Sequence, residues 1–357
     1  MELIIKPTER CNFKCTFCSS TDITDDKEKI LDLDYIFKFL KRYPNTSTII
    51  VNGGDPLMMK PEYYWKIIEH LDKFNLPTSI SLTTNLWPFY KNPDKWKELF
   101  NHRRVGITTS FQYGGGRLKG DLSEFTEEDF WKCSNAMLEH VGYRPDFISV
   151  ITEENEDRAI DNVLLAKRMG VECKLNYAFS SGTPIKFKNI IMGQKGKPYM
   201  LAKIYKIYVK IAKMNLTNWE FNTKQMIKRL NNIHTTCPQT RDCDQGIRTL
   251  QPSGDYYSCG AFGDDREYSI NFEEEMGGKF LPPLNKPELY NLKQSCFTCP
   301  MYKICNGCKK TITDLKRYDL VEEHCKMMKD NAKDILEVCN IDKKVTPYIN
   351  ETANAIN

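Results

Sequence analysis

The stretch Cys11-Asn12-Phe13-Lys14-Cys15-Thr16-Phe17-Cys18 decides how this chain is read. It follows the short apolar run Leu3-Ile4-Ile5, which has the pattern of a buried strand. Three thiolates in a C-x3-C-x2-C run can hold three irons of a 4Fe–4S cube, leaving the fourth open to a ligand that is not protein. A cluster that only stores electrons normally has all its irons ligated, and structural zinc takes four ligands, so the run is one thiol short of either. An open iron so near the start of the chain points to chemistry at the cluster. A zinc knuckle and unrelated thiols are the competing readings.

The rest of the composition suits a globular enzyme. The chain has 357 residues, 41% hydrophobic and 27% charged, enough for one large domain and a smaller one. The opening Met-Glu-Leu-Ile-Ile-Lys is no signal peptide, and no apolar run reaches the length of a membrane helix. The expected location is therefore cytoplasmic, with no membrane partner. Fourteen cysteines in such a chain argue for metal rather than disulfides. A net charge of +4 does not by itself call for nucleic acid, and none is expected as a partner.

Strand and helix patterns alternate through the first half, which predicts parallel βα units and an α/β fold. The expected strands are 2–5, 47–51, 78–83, 105–109, 147–151 and 174–177. The expected helices are 34–43, 61–74, 93–100, 127–140 and 158–169. Thr126 with Asp129 forms a plausible amino-terminal cap, and Gly170 stands where a left-handed cap belongs. Residues 201–216 read as a helix with Lys203, Lys206, Lys210 and Lys213 on one stripe. That stripe is either a solvated face or a docking surface for an acidic substrate or electron donor.

The cysteine run, with an aromatic just before its third cysteine, resembles the signature of the radical S-adenosylmethionine (SAM) superfamily. The resemblance implies a partial (β/α)6 TIM-like barrel with its chemistry at the carboxyl ends of the strands. It also implies that Cys11, Cys15 and Cys18 hold the SAM-binding cluster. The open iron then chelates SAM, and one electron releases a 5′-deoxyadenosyl radical. By the same resemblance Phe17 packs near the adenine. Gly53-Gly54-Asp55-Pro56 looks like the family's Gly-Gly-Glu-Pro motif, whose backbone and acid hold the SAM amino group; here Asp has the shorter reach. Thr84, Asn85 and Ser110 fall where family members contact the methionine and ribose, Ser110 as a ribose or carboxylate partner. Arg117, after the Gly114-Gly115-Gly116 loop, is a candidate for the SAM carboxylate. Ile151, Asn176 and Tyr177 either flank the adenine or fill core and rim.

A second cysteine cluster lies toward the carboxyl terminus: Cys237, Cys243, Cys259, then Cys296-x2-Cys299-x5-Cys305-x2-Cys308, and Cys325. Residues 251–259 read as a β-hairpin with a Ser253-Gly254 turn. Paired C-x2-C units are common zinc knuckles, so two zinc sites are one reading. The pattern resembles the SPASM domain of radical SAM enzymes that modify peptides, departing only in the two-residue gap before Cys308. The resemblance implies two auxiliary 4Fe–4S clusters, one on Cys237, Cys243, Cys259 and Cys308, the other on Cys296, Cys299, Cys305 and Cys325. Three clusters and SAM are thus the expected cofactors. Cys133, Cys173 and Cys339 are left as small buried hydrophobes.

The expected organisation is a radical SAM barrel over 1–195, linker helices over 196–235, a SPASM domain over 236–340 and a tail over 341–357. The expected function is hydrogen abstraction from a peptide, giving a crosslink, an oxidation or an epimer. Reduced flavodoxin or ferredoxin is the implied electron donor. Because the chain opens directly on the first strand, a separate leader-peptide-binding protein is a possible partner. Gly260 stands where sulfatase-maturing relatives carry Asp, which disfavours formylglycine formation. No catalytic base is identified; Asp264 or a tyrosine are alternatives. A radical enzyme acting on a sugar or nucleoside, and a non-enzymatic iron–sulfur electron carrier, are the other functions.

Overall fold

The computed structural model describes residues 1–21, 26, 28–182, 198–231, 246–275, 296, 299, 301–305 and 308–340. Cys237, Cys243 and the 341–357 tail lie outside the described residues. The chain divides into two compact units. One comprises Met1–Ile148, Ser181–Gly196 and Cys243–Pro283; the other comprises Ser149–Ser180, Lys197–Asp242 and Leu284–Asn357.

The first unit is built on β1 (Glu2–Ile5), β2 (Thr48–Val51), β3 (Ser79–Thr83), β4 (Val105–Ser110) and the start of β5 (Phe147–Ile151). β6 (Cys173–Tyr177) belongs to the second unit. The strands β1 to β5 are parallel neighbours in the order β5-β4-β3-β2-β1. Leu3, Ile5, Ile49, Val51 and Leu82 are fully buried, at every second position of their strands, so helices cover the sheet they face. α1 (Leu33–Arg42) starts on Asp32, whose carboxylate accepts from the Asp34 N–H, and it buries Ile36, Phe39 and Leu40. α2 (Pro61–Lys73) has proline in its first turn and buries Tyr64, Ile67, Ile68 and Leu71.

Where the sequence pattern suggests one helix over 93–100, the chain makes three short pieces, at Trp87–Lys91, Pro93–Lys95 and Lys97–Phe100. Leu86 enters the first at φ 61° and Asn92 caps the second through its side chain. α3 (Glu127–Val141) begins with the expected cap: Thr126 accepts from the Asp129 N–H, and Asp129 accepts from the Thr126 N–H.

One strand lies beyond the expected set. β7 (Ile247–Leu250) pairs parallel with the free side of β1, and β8 (Tyr256–Tyr257) turns back antiparallel on it. The turn is the Ser-Gly hairpin, with Gly254 at φ 85° and its α-carbon face packed against the Tyr35 ring. Arg248, fully buried in β7, forms an ion pair with Glu275, whose other oxygen accepts from the Tyr256 hydroxyl at 2.6 Å.

In the second unit, α4 (Ala159–Met169) ends at Gly170 with φ 70°. The helix Leu201–Lys213 buries Leu201, Ile204, Tyr205, Tyr208 and Ile211 and ties its lysine face to acids, Lys213 to Asp334 at 3.2 Å and Lys203 to Glu153. Among the described residues no helix is long and apolar enough to cross a membrane. Cys133, Cys173 and Cys339 are buried.

Candidate active site

Cys11, Cys15 and Cys18 lie in the loop after β1, and all three are half-buried. The loop is held on both sides. Lys14 N–H donates to Leu118 C=O at 2.8 Å and Thr16 N–H to Gly116 C=O at 2.9 Å, pairing it with the segment that follows β4. The Asn12 and Asn85 side-chain amides pair reciprocally, at 2.8 and 3.4 Å, tying the loop to the end of β3.

The Gly53-Gly54-Asp55 turn forms the third support. Gly54 N–H donates to Thr8 C=O and Asp55 N–H to Arg10 C=O, each at 2.8 Å. A side chain is excluded here by the protein's own backbone. A Cβ on Gly53, at φ 116°, would lie 2.7 Å from the Thr8 oxygen, and one on Gly54 1.9 Å from the Arg10 oxygen. The glycines let two backbone segments touch, and one of those segments leads straight into Cys11.

The Asp55 carboxylate is buried and accepts from Leu57 N–H at 2.8 Å, Asn85 N–H at 2.8 Å and the Thr84 hydroxyl at 2.9 Å. It fastens the end of β3 to the turn after β2. Burial pushes its carboxyl above the usual range, while these hydrogen bonds pull the other way.

Arg117 supplies the positive charge. Its side chain is buried, and its guanidinium donates to Gln112 Oε1 at 2.7 and 3.0 Å and to the Ser110 hydroxyl at 2.9 Å. Among the described residues it has no carboxylate partner; the charges it feels are the three cysteines. Burial lowers its basicity and all three thiols raise it. Burial likewise pushes the Cys11 and Cys15 thiols up, and Arg117 pulls Cys15 back down. The guanidinium lies 5.4 Å from the centre of the buried Phe17 ring, and Gly116 packs on the same ring.

Three soft thiols that feel one another, half-buried and set beside a buried cation, would suit an iron–sulfur cluster with one iron left for an outside ligand.

A further buried group adjoins them. Lys6, just past β1, forms an ion pair with Asp264 and contacts the Ser20 hydroxyl at 3.3 Å. Burial lowers the Lys6 amine to about 8, against the opposing pull of Cys18, Cys259, Glu9 and Asp265. Asp265 accepts from Ser181 at 2.6 Å. Lys6 and Gln112 were not singled out in the sequence. Lys6 reads there as the polar end of a strand, and Gln112 as a loop residue.

Ile151 and Asn176 belong to the second unit. Ile151 is fully buried at the end of β5 and its C=O accepts from Ala178 N–H at 2.9 Å; Asn176 is half-buried in β6. The second unit also carries Cys296, Cys299, Cys305 and Cys308, all half-buried, and the exposed Cys325. Cys308 stands at the amino end of the helix Lys309–Arg317. Burial pushes the Cys325 thiol up, and the nearby Cys299 adds to that. Cys259 caps Gly260–Asp265 in the first unit.

Residues 5–182 match the Radical SAM superfamily. Among curated proteins the chain is similar to the GTP 3′,8-cyclase of Helicobacter pylori, 26% identical over 57% of this chain and 63% of that enzyme. It is also similar to the GTP 3′,8-cyclase of Mannheimia succiniciproducens, 30% identical over 27% of this chain and 29% of that enzyme. The chain thus spans less than two thirds of the length of these relatives. Among solved structures it is similar to anSMEcpe with bound AdoMet, with a TM-score of 0.69, 16% identity and all of both chains covered. Streptococcus suis SuiB bound to precursor peptide SuiA gives a TM-score of 0.52 at 17% identity, over 85% of this chain and 70% of that one. At these identities the structural likeness is one of fold.

Proposed function

We propose that this chain, which belongs to the radical SAM superfamily, uses that chemistry to take hydrogen from a peptide. Cys11, Cys15 and Cys18 would hold a 4Fe–4S cluster, which would supply the electron for reductive cleavage of SAM. The chain's own residues do the rest. The paired loop 11–18, the Gly53–Asp55 turn and the Asn12–Asn85 amide pair fix the three thiols. Arg117 offsets their negative charge and presents its remaining donors to an anion such as the SAM carboxylate. Ser110 and Gln112 hold the guanidinium in that pose. Phe17, under Arg117 and Gly116, offers an apolar surface to the adenine. Cys259, Cys296, Cys299, Cys305, Cys308 and Cys325, with Cys237 and Cys243, are the thiols proposed for two auxiliary clusters.

The observation that carries the peptide reading is the likeness in fold over the whole of both chains to anSMEcpe, which has also been solved with bound AdoMet and Kp18Cys peptide. The sequence likeness to GTP 3′,8-cyclases favours a nucleotide as the second reading. The two separate in one experiment. The anaerobically reconstituted chain is given SAM and dithionite with either GTP or any short peptide encoded beside its gene. Peptide modification with GTP left intact supports the first reading; GTP consumption with the peptide unchanged replaces it with the second.

A further inference from the structure

The second unit holds a histidine that the roles above leave unused. His324 lies on the helix Val321–Asp330, one residue before Cys325, and 3% of its surface reaches solvent. Its Nε2 is 3.8 Å from the Cys305 Sγ. Its Nδ1 has no hydrogen-bond partner among the described residues. A buried imidazole whose polar contact is a neutral thiol is poorly compensated, because S–H and S are weak partners. A thiolate is a far better acceptor, since hydrogen bonds to charged groups are about twice as strong as neutral ones. Metal binding is what keeps a half-buried cysteine as a thiolate at neutral pH.

We propose that His324 donates its Nε2–H to the Cys305 thiolate and thereby raises the reduction potential of the auxiliary iron–sulfur cluster this thiolate holds. The proposal rests on the auxiliary-cluster reading above. A hydrogen bond draws charge from the sulfur, so the extra electron of the reduced cluster is better tolerated. The geometry is fixed from both ends. Cys305 closes the helix Tyr302–Cys305, its N–H donating to Met301 C=O at 2.8 Å, and the buried His324 is held in the first turn of its own helix. That helix also carries Cys325, so one element brings a ligand and a donor to the same cluster.

The test is an EPR-monitored redox titration of reconstituted wild type, His324→Leu and His324→Gln, with iron counted in each. His324→Leu is expected to shift one auxiliary signal to lower potential and leave the other clusters unmoved. His324→Gln, which keeps an N–H near the Nε2 position, is expected to recover most of the shift. An unchanged potential in His324→Leu at wild-type iron content overturns the role of His324 and leaves the auxiliary clusters standing. Iron of about four per wild-type chain removes the auxiliary clusters, and this proposal with them. If the leucine variant loses its cluster, wild type labelled with nitrogen-15 histidine decides. Weak nitrogen coupling to one reduced cluster is expected; no coupling, or the strong coupling of a directly ligated imidazole, overturns the proposal.

Discussion

Replacing Gly54 by alanine would add one carbon at the most crowded backbone contact near the three cysteines. That carbon would lie 1.9 Å from the Arg10 oxygen, 2.4 Å from its carbonyl carbon and 2.6 Å from the Glu9 oxygen. To restore ordinary contact the Arg10 segment must retreat by about 1.5 Å. Its backbone is the neighbour of Cys11, so the first thiol moves with it. The retreat also breaks Gly54 N–H to Thr8 and Asp55 N–H to Arg10, at about 1 kcal/mol each. With the strain of the displaced loop the loss of stability is roughly 2–4 kcal/mol. A displacement of this size at reacting groups lowers the rate by roughly a hundredfold or more. Gly106→Ala in β4 is the control: a Cβ there meets nothing within 4 Å, and the change is expected to stay within about 1 kcal/mol. Urea unfolding and 5′-deoxyadenosine release under dithionite measure the two effects. A Gly54→Ala chain with wild-type stability and SAM cleavage would refute the role given to this contact.

Changing Cys11, Cys15 and Cys18 together to alanine should abolish 5′-deoxyadenosine formation and lower bound iron from about twelve to about eight per chain, read by iron and sulfide analysis. Continued SAM cleavage would rule out the assignment. Arg117→Lys keeps a charge but loses the fork that Ser110 and Gln112 hold, so SAM affinity by equilibrium dialysis should fall about tenfold, and further in Arg117→Gln. Equal affinity in all three would remove Arg117 from the SAM site. Asp55→Ala leaves the buried N–H groups of Leu57 and Asn85 without an acceptor and should cost roughly 2–5 kcal/mol in chemical denaturation, where Thr84→Val should cost about 1. The reverse order would show that the carboxylate is not what joins β2 to β3.

The expected strands were legible because each is a short run buried at alternate positions and bounded by helix patterns, with β-branched residues in β1 to β5. Phe147–Ile151 matches the expected bounds, and the other expected strands agree within a residue. β7 was hidden because Ile-Arg-Thr-Leu places a charge at its centre. What makes that charge tolerable is Glu275, 27 residues on, a compensation no local pattern reveals. The break inside 93–100 falls at Trp96, which closes Pro93–Lys95 and opens Lys97–Phe100, and its side chain does not advertise it. In the site, the residue types were legible and their partners were not. The resemblance implies a ligand beside Gly54 and Asp55, and the structure adds their partners within the protein. In the structure the missing Cβ of Gly54 faces Arg10, and the Asp55 oxygens are taken by Leu57, Thr84 and Asn85. The five histidines have no metal-ligand spacing, so nothing in the sequence singles out His324; its nearness to Cys305 depends on the packing of two helices.

The central claim is that a radical made from SAM acts on a peptide. The most direct test is mass spectrometry of any short peptide encoded beside the gene, incubated anaerobically with the reconstituted chain, SAM and dithionite, with 5′-deoxyadenosine measured alongside. The account predicts a peptide lighter by a pair of hydrogens, accumulating in step with 5′-deoxyadenosine. A peptide of unchanged mass and no solvent deuterium, beside steady turnover of GTP or a free sugar, would contradict it.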